Sequence, residues 1–304
     1  MMVRERGNPP RRTILAIASG KGGTGKTTVA AHLAVTASRT MRTLLVDLDV
    51  EAPDAVGYFP GAVGTGDDEA VTVLVPSAVG DRCTGCGACA KACRFGAIVA
   101  IRDVVTIDAR VCKGCGRCVA LCPAGVLVEA PVPVGSVRSF SADGGLDIVE
   151  GRMHVGDIRA TAVIEAAKRA ASRLDAPIQI RDCPPGVTCP TVHAVEGADY
   201  VVLVAEPTAF SLHDLDAALS MVRDAGIPAG VIVNKQGFGT ADIEGLCVKR
   251  GVPVIGRIAF LHTRARAGAA ARLWTDDPEL SAVLDGALSA ALDASTMARP
   301  RTAS

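Results

Sequence analysis

The sequence has few aromatic residues, no surplus of either charge and no long hydrophobic run. Aromatic residues make up 3% of the 304 residues although hydrophobic residues make up 49%, so the core must consist of Ala, Val, Ile and Leu, as in helices packed on a parallel sheet. Basic and acidic residues number 32 each, which argues against a protein that works by coating nucleic acid. No apolar run approaches the roughly 18 residues of a membrane helix, and the one that follows the basic residues 1–12 is too short for a secretory signal.

Cysteine is plentiful, but its distribution is not that of a disulfide framework. Eight of the eleven cysteines fall in two matched clusters between positions 83 and 122. Dense clusters at regular spacing indicate metal ligands rather than disulfides. We therefore expect a cytoplasmic metalloprotein with no nucleic-acid partner and no membrane insertion. Its length suits one large α/β domain or two smaller ones.

The most informative stretch follows a short apolar run near the N-terminus. Gly20, four further residues and then Gly25-Lys26-Thr27 satisfy the phosphate-loop pattern G-x-x-x-x-G-K-[ST]. Glycines let successive backbone N–H groups point at phosphate oxygens, and the next helix adds its N-terminal partial positive charge. Lys26 would reach the β- and γ-phosphates, and the Thr27 hydroxyl would ligate Mg²⁺. The expected nucleotide-binding residues are Gly20, Lys21, Gly22, Gly23, Thr24, Gly25, Lys26, Thr27 and Thr28.

Acidic residues end two of the expected strands. Asp47 and Asp49 end the strand 43–49, and Asp182 ends the strand 177–182. In α/β proteins ligands bind at the carboxyl ends of strands, so these carboxylates are placed to face the nucleotide and its metal. The alternative for Asp47 and Asp49 is a solvated position or a cap on the next helix. Position alone leaves both possibilities open.

Periodicity and turn signals predict the rest of an α/β pattern, with a mostly parallel sheet flanked by helices. Strands are expected at 13–19, 43–49, 177–182, 200–205, 229–235 and 254–260, and helices at 27–39, 157–174 and 279–295. The last helix has no basic face and is a poor membrane anchor. The tails 1–11 and 297–304 are expected to be disordered.

Two copies of one cysteine spacing interrupt this pattern. The spacing C-x2-C-x2-C-x3-C occurs twice and is that of bacterial two-cluster ferredoxins, in which the fourth cysteine of each run ligates the other cluster. The first 4Fe-4S cluster is therefore assigned to Cys83, Cys86, Cys89 and Cys122. The second is assigned to Cys93, Cys112, Cys115 and Cys118. The stretch 97–109 is expected to be a hairpin that joins the two halves.

Zinc is the alternative metal, because thiolates two residues apart also bind it. Two complete sets in a pseudo-repeat favour iron–sulfur clusters. Arg94 stands where the ferredoxin run has proline, which is a departure from the pattern.

Pro131-Val132-Pro133 is expected to mark the exit from the insert. The predicted domains are a nucleotide-binding P-loop domain at 12–75 and 132–296 and an inserted ferredoxin-like α+β domain at 76–131.

With these motifs in place, the chain resembles the MinD/ParA group of P-loop ATPases, and more closely its members with an inserted two-cluster ferredoxin domain. Lys21-Gly-Gly-Thr-Gly-Lys26-Thr27 matches the group's loop K-G-G-x-G-K-T. The resemblance implies slow, Mg²⁺-dependent ATP hydrolysis in an ATP-dependent homodimer. It also implies that Lys21 reaches the partner's phosphates. Lysine is a common point-charge phosphate binder, whereas a solvated loop lysine is the plainer alternative.

The same resemblance implies roles for further polar residues. Asp49 matches the switch I aspartate that positions the attacking water, and Asp47 its companion acid. Asp182, with Gly186, matches the switch II segment whose aspartate holds Mg²⁺ through water. Asn234 matches the residue that hydrogen-bonds the adenine edge. The catalytic residues expected on this basis are Lys21, Lys26 and Asp49.

Three cysteines lie outside the clusters. Cys183 and Cys247 are interpreted as buried small hydrophobic residues. Cys189 precedes a proline, as in related ferredoxin-bearing members, and could either be buried or hold a bridging cluster across a dimer. The sequence does not decide between these two roles.

The sequence is compatible with three functions. The first is an ATP-gated electron-transfer protein with an unknown redox partner, since cluster potential depends on exposure and on hydrogen bonds to sulfur. The second is a maturation ATPase that handles clusters for a client metalloprotein. The third is a positioning ATPase with an accessory ferredoxin. Neutral charge and the lack of a basic C-terminal helix count against the third.

Overall fold

The computed structural model describes residues 12–78, 82–102, 104–274 and 277–297. Within these ranges the chain alternates strands and helices as an α/β protein does. The strands are β1 (Thr13–Ala18), β2 (Thr43–Asp47), β3 (Val63–Gly64), β4 (Glu69–Ala78), β5 (Ile98–Ile101), β6 (Val104–Ile107), β7 (Leu127–Ala142), β8 (Leu146–Met153), β9 (Ile178–Asp182), β10 (Tyr200–Ala205), β11 (Ala229–Gln236) and β12 (Val254–Ala259). The helices are α1 (Lys26–Ser38), α2 (Ala88–Ala92), α3 (Arg117–Ala120), α4 (Ala160–Ser172), α5 (Cys189–Val195), α6 (Ala209–Asp224), α7 (Ile243–Arg250), α8 (His262–Ala269) and α9 (Pro278–Met297).

The main sheet is mostly parallel. Its described strands follow the order β12-β11-β10-β1-β9-β2-β8-β7-β3, and β4 pairs with β7 beside this path. The strands from β12 to β8 are parallel, whereas β7 runs antiparallel to β8, β3 and β4. The strands β10, β1, β9 and β2 are neighbours and run parallel, so their carboxyl ends lie at the same edge of the sheet. This edge carries the phosphate loop and both predicted acidic segments.

Side chains on the central strands alternate between two apolar layers. On β1, Leu15 and Ile17 pack on the side of α1 and α9, whereas Ala16 and Ala18 pack on the side of α4, α6 and α7. Both layers consist mainly of Ala, Val, Ile and Leu. The small number of aromatic residues thus corresponds to a sheet covered by helices on both faces.

The cysteine-rich segment sits at the end of a two-stranded ribbon. The first part of β7 pairs with β4, and its last part, from Gly135 onward, pairs with β8. One continuous strand therefore connects the main sheet to the segment 82–126. The prolines of the expected exit, Pro131 and Pro133, lie inside β7 opposite Leu74 and Thr72, so the chain leaves the insert along a continuous strand. A strand with a partner on one side tolerates proline where the missing N–H faces away from that partner.

The cysteine segment has a small apolar core of its own. The predicted hairpin at 97–109 is confirmed as the antiparallel pair of β5 and β6. Helices α2 and α3 each follow a glycine with positive φ, Gly87 at 69° and Gly116 at 66°. Ile98, Leu127 and two buried cysteines pack between these elements.

The predicted helices and strands of the main sheet are confirmed to within a few residues. The helix expected at 157–174 begins only at Ala160. The Asp157 carboxylate accepts hydrogen bonds from the backbone N–H groups of Ile158 and Arg159 and from the Arg159 guanidinium, which holds these residues outside the helix. The C-terminal tail expected from 297 is wrong at its first residue, since Met297 ends α9. The tails 1–11 and 298–304 lie outside the described residues. None of the described helices is long and apolar enough to cross a membrane.

Candidate functional site

The phosphate loop connects β1 to α1, which begins at Lys26. Gly25, at φ 89°, is packed so closely that a Cβ there would lie 2.4 Å from the Asn234 amide nitrogen. A Cβ on Gly20 would lie 2.2 Å from the backbone oxygen of Asp214. Backbone conformation and close packing therefore both require glycine at Gly25, and packing alone requires it at Gly20.

Three predicted residues meet at the carboxyl edge of the sheet. The ammonium of Lys26 lies 2.7 Å from Asp182 Oδ1 and 3.6 Å from Asp49 Oδ2. Burial alone would lower the pKa of Lys26, but the charges of Asp182 and Asp49 outweigh burial and raise it. Burial and the nearby Asp182 outweigh the attraction of Lys26 and raise the pKa of Asp49 to about 6.

Of the alternatives for Asp47, a solvated position is wrong, because the side chain is buried, and its role toward the nucleotide and metal stays a prediction. Its carboxylate is fully buried and accepts hydrogen bonds from the backbone N–H groups of Asp49, Asp54 and Ala55 at 3.0 Å each. It thus caps the turn after β2 and fixes the position of Asp49. Burial and the proximity of Asp182 raise its pKa well above the usual range.

The same edge offers oxygen ligands suited to a hard cation. Oxygens of Asp47, Asp54 and Asp182 lie within 4.8 Å of one another. Oδ2 of Asp182 is buried and has no hydrogen-bond partner among the described residues. Thr27 lies beside this group, with its hydroxyl 3.5 Å from the Lys26 ammonium. A hydrated Mg²⁺ would satisfy the unpaired oxygen, so these residues fit the ion.

Glu206 links two lysines across the mouth of the loop. Its carboxylate contacts the Lys21 ammonium at 2.5 Å and the Lys235 ammonium at 2.8 Å. Lys235 also donates to the carbonyl of Gly23 at 2.6 Å. Sequence reasoning assigned no role to Glu206 or Lys235. The sequence did contain a signal for Glu206, because this residue directly follows the strand β10 and therefore lies at the carboxyl edge of the sheet, where ligands bind.

Asn234 lies against the phosphate loop. Its amide nitrogen donates to the Thr24 carbonyl at 2.7 Å, and its side-chain oxygen accepts from the backbone N–H of Lys235 at 2.9 Å. Asn234 also lines the cavity next to the loop. Its contact with adenine stays a prediction.

A cavity of about 560 Å³ opens from the loop toward the C-terminal part of the chain. Gly22, Lys26, Thr27, Thr28 and Asp49 line it on the loop side. Aromatic side chains line the other side, where the rings of Phe238 and Phe260 lie 5.0 Å apart. The cavity therefore joins a polar, phosphate-sized end to an apolar end, as nucleotide sites do.

Each predicted set of cysteines lines a cavity of its own. The first cavity measures about 260 Å³ and is lined by Cys83, Cys86, Cys89 and Cys122. The second measures only about 10 Å³ and is lined by Cys93, Cys112, Cys115 and Cys118. The fourth cysteine of each run thus lies with the other three of the opposite run, in the grouping that the ferredoxin spacing predicts.

The sulfurs of neither set are gathered as tightly as the ligands of a single small ion. Among the described residues, no three cysteine sulfurs lie within 4.8 Å of one another. Four thiolates around one zinc ion at 2.3 Å would be about 3.8 Å apart. A cube of four irons separates its ligands more widely, since each sulfur binds a different corner. Backbone N–H groups of residues 124–127 lower the pKa of Cys122, which favours its thiolate form.

The remaining three cysteines are separate from both sets. Cys183 and Cys247 are buried, and burial raises the pKa of their thiols to about 12 and about 11. Their interpretation as small hydrophobic residues agrees with this burial. Cys189 is exposed at the start of α5, so its interpretation as a buried residue is wrong.

The fold and the phosphate loop together define an α/β P-loop nucleotide-binding protein. The chain belongs to the family of CobQ/CobB/MinD/ParA nucleotide-binding domains, whose profile matches residues 15–272. This family supplies the nucleotide-binding function that the loop predicts, and ATPase activity in general is typical of its MinD/ParA members.

Known proteins resemble the chain over most of its length. Two uncharacterized proteins of Methanocaldococcus jannaschii are 29% and 27% identical, each over 74% of this chain and over 78% and 81% of their own. MinD of Pyrococcus horikoshii with Mg-ADP has a TM-score of 0.56 at 16% identity, covering 95% of this chain and 99% of its own. A ParA-family ATPase of Chlorobium tepidum gives 0.55 at 17%, covering 92% and 98%. At these identities the solved structures show the fold.

Proposed function

We propose that the protein is a Mg²⁺-dependent ATPase whose nucleotide state controls electron transfer through two 4Fe-4S clusters. It hydrolyses ATP to ADP and phosphate, and ATP closes a homodimer that opens again after hydrolysis. The observation that carries the proposal is the grouping of eight cysteines into two sets of four, at the end of a ribbon that continues from the ATPase sheet.

The residues at the loop suit in-line transfer of the γ-phosphoryl group to water. Lys26 and the loop N–H groups would bind the phosphates, so the ion pair of Lys26 with Asp182 must rearrange when nucleotide enters. Thr27 and Asp182 would hold Mg²⁺, which supplies charge neutralisation on the phosphate oxygens when bound. Asp49 borders the same cavity and would orient the attacking water. These groups act by positioning and electrostatics, without a covalent intermediate.

Lys21 would act across the dimer. Its side chain is 28% exposed and contacts Glu206 at the mouth of the cavity. Release from Glu206 would let the ammonium reach the phosphates of a second copy. This step makes Glu206 a competitor of the partner's nucleotide for the same lysine.

The two cysteine sets suit clusters to different degrees. The first cavity, at about 260 Å³, has room for a bound group, whereas the second measures about 10 Å³. A backbone N–H at Gly114 lies 3.4 Å from Cys112 Sγ, a contact that stabilises thiolate ligands in such sites. Two filled sites would give the protein a path for single electrons.

A chain of packed elements connects the nucleotide to the second set. Asp182 ends β9, and α5 follows after six residues and packs on α4. Lys168 on α4 donates to the carbonyl of His193 on α5 at 2.8 Å. Before α4, the carbonyl of Ile158 accepts from Lys113 at 2.6 Å, directly beside Cys112. Movement of the switch segment after Asp182 would be transmitted along this route.

An anaerobic redox titration followed by electron paramagnetic resonance tests the proposal. The reconstituted protein is titrated without nucleotide, with Mg-ATP and with a non-hydrolysable analogue. We expect signals of two clusters and a change of midpoint potential or line shape on nucleotide binding. Two clusters that ignore nucleotide would contradict coupling, and zinc in place of iron would contradict the clusters.

A cluster-maturation ATPase is the second candidate, and the exposed Cys189 at the start of α5 favours it, because an exposed thiol could hold a bridging cluster across a dimer. A labile bridging cluster would suit transfer to a client better than it would suit electron transfer. Transfer of iron from the loaded protein to an apo-ferredoxin, accelerated by ATP, would support this function over electron transfer.

A further inference from the structure

The charges of this neutral chain are separated between its two parts. The segment 82–126 contains seven basic and two acidic residues, a net charge of +5, so the rest of the chain carries −5. Asp108 is the acidic residue in the described part of this segment, and it is neutralised by Arg110 at 2.8 Å. The cysteine-rich end of the molecule is therefore strongly basic relative to the ATPase part.

Most of these basic groups are free to meet a partner. Five of them are exposed and form no ion pair or side-chain hydrogen bond with the described residues: Arg82, Lys91, Arg94, Arg102 and Arg117. Bound clusters carry negative charge that part of the basic surplus would offset. That role needs proximity to the sulfurs but not exposure to solvent. Exposed, unpaired guanidinium groups are instead typical of surfaces that bind acidic partners.

Three of the seven basic groups lie at the second cysteine set, whereas Arg82, next to Cys83, is adjacent to the first. Lys113 and Arg117 line the second cavity, and Arg94 is adjacent to its ligand Cys93. Among the described residues, none that lines the first cavity is charged. The second cavity is also lined by Phe95, which is 47% exposed, and by the exposed Cys115. An exposed aromatic ring within a rim of arginine has the anatomy of a protein interface.

We infer that the surface formed by Arg94, Phe95, Cys115 and Arg117 is the docking site of a small acidic electron-carrier protein. This inference rests on the proposed function. The reduced carrier loses one electron, and the centre held by the second cysteine set gains it, with no bond or proton change. The exposed position of Cys115 gives that electron a short path from the surface.

Binding of a strongly acidic bacterial-type ferredoxin to the reconstituted full chain tests the inference, with a basic c-type cytochrome as the second probe. Titration calorimetry at low and high salt compares the wild type with the double variant Arg94→Glu/Arg117→Glu. Arg223→Glu/Lys249→Glu, at exposed positions on α6 and α7 of the ATPase part, is the control with the same change of net charge. We expect salt-sensitive binding of the ferredoxin alone, weakened about tenfold by the double variant and unchanged by the control.

Cluster content and midpoint potentials of the same samples separate the possible failures. If both clusters are present but the ferredoxin binds the double variant as well as the wild type, the docking site is wrong and the proposed function stands. A shifted potential with unchanged binding would assign the arginines to tuning and overturn docking. Samples that bind no iron would overturn both.

Discussion

Lys26 and Asp182 form a buried ion pair, 2.7 Å long, that joins the phosphate loop to the end of β9. The lysine side chain is 6% exposed and the aspartate is fully buried. Removing one partner of such a pair leaves an uncompensated buried charge. The pair therefore connects nucleotide binding to the stability of the fold, and the first prediction concerns both.

Lys26→Ala should abolish nucleotide binding and lower the free energy of unfolding by about 3 kcal/mol, since Asp182 loses its main counter-charge. The double variant Lys26→Ala/Asp182→Asn should recover much of that stability and still bind no nucleotide. Urea unfolding and the fluorescence of a labelled ATP analogue measure the two effects. A double variant as unstable as Lys26→Ala would contradict the pairing.

Asp49 should make stability fall as pH rises from about 4 to 6. Its pKa is raised from 3.8 to about 6 in the folded chain, so the folded state holds a proton that the unfolded state has released. The stabilisation is fully present below pH 3.8 and is lost as pH rises through 6. Asp49→Asn should therefore gain stability relative to the wild type across this window. A constant difference between the two unfolding free energies would count against the shifted pKa.

Glu206→Gln should promote ATP-dependent dimer formation. The neutral amide holds Lys21 and Lys235 less strongly, and Lys21 becomes available to the second copy. A partly exposed ion pair contributes up to about 1 kcal/mol. Each of the two copies releases one such pair, so the dimer dissociation constant should fall by up to about thirtyfold. Sedimentation with a non-hydrolysable analogue measures this constant. Lys21→Ala is the control and should leave the protein monomeric with the same analogue.

Cys122→Ala and Cys93→Ala should each remove a different cluster. Cys122 lines the first cavity and Cys93 the second, although each belongs to the opposite sequence run. Each variant should therefore bind about half the iron of the wild type, and their resonance spectra should be complementary. Cys247→Ala, which changes a buried cysteine of the ATPase part, should keep both clusters. Identical spectra from the two variants would refute the crossed assignment.

Gly114→Ala should damage the second cysteine set more than Gly87→Ala damages the first. Both glycines have nearly the same positive φ, at 68° and 69°. A Cβ on Gly114 would lie 2.0 Å from Val73 Cγ1, whereas a Cβ on Gly87 meets nothing within 4 Å. Backbone strain is thus matched, and the difference, about 1–3 kcal/mol, reports packing on β4. Thermal unfolding and iron content measure it, and equal losses would show that the ribbon contact is unimportant.

Local sequence patterns were sufficient for the phosphate loop, for the strands of the main sheet and for the grouping of the cysteines. Each of these depends on residues close together in the chain or on a repeat with fixed spacing. The predicted position of Asp182 at the end of β9 was correct for the same reason, because a buried strand ends where its apolar run ends.

Tertiary structure decided which distant groups meet. The partners of Lys21 and Lys26 come from β9, β10 and the turn after β2, and no local pattern joins them. The continuity of β7 through Pro131 and Pro133 also depends on pairing with β4, which outweighs the local preference of proline for a turn. The sequence alone determined the chemistry available to this protein, because residue type and spacing define it. Only the fold decided the ion pairs and the two cavities, because these depend on strand order and packing.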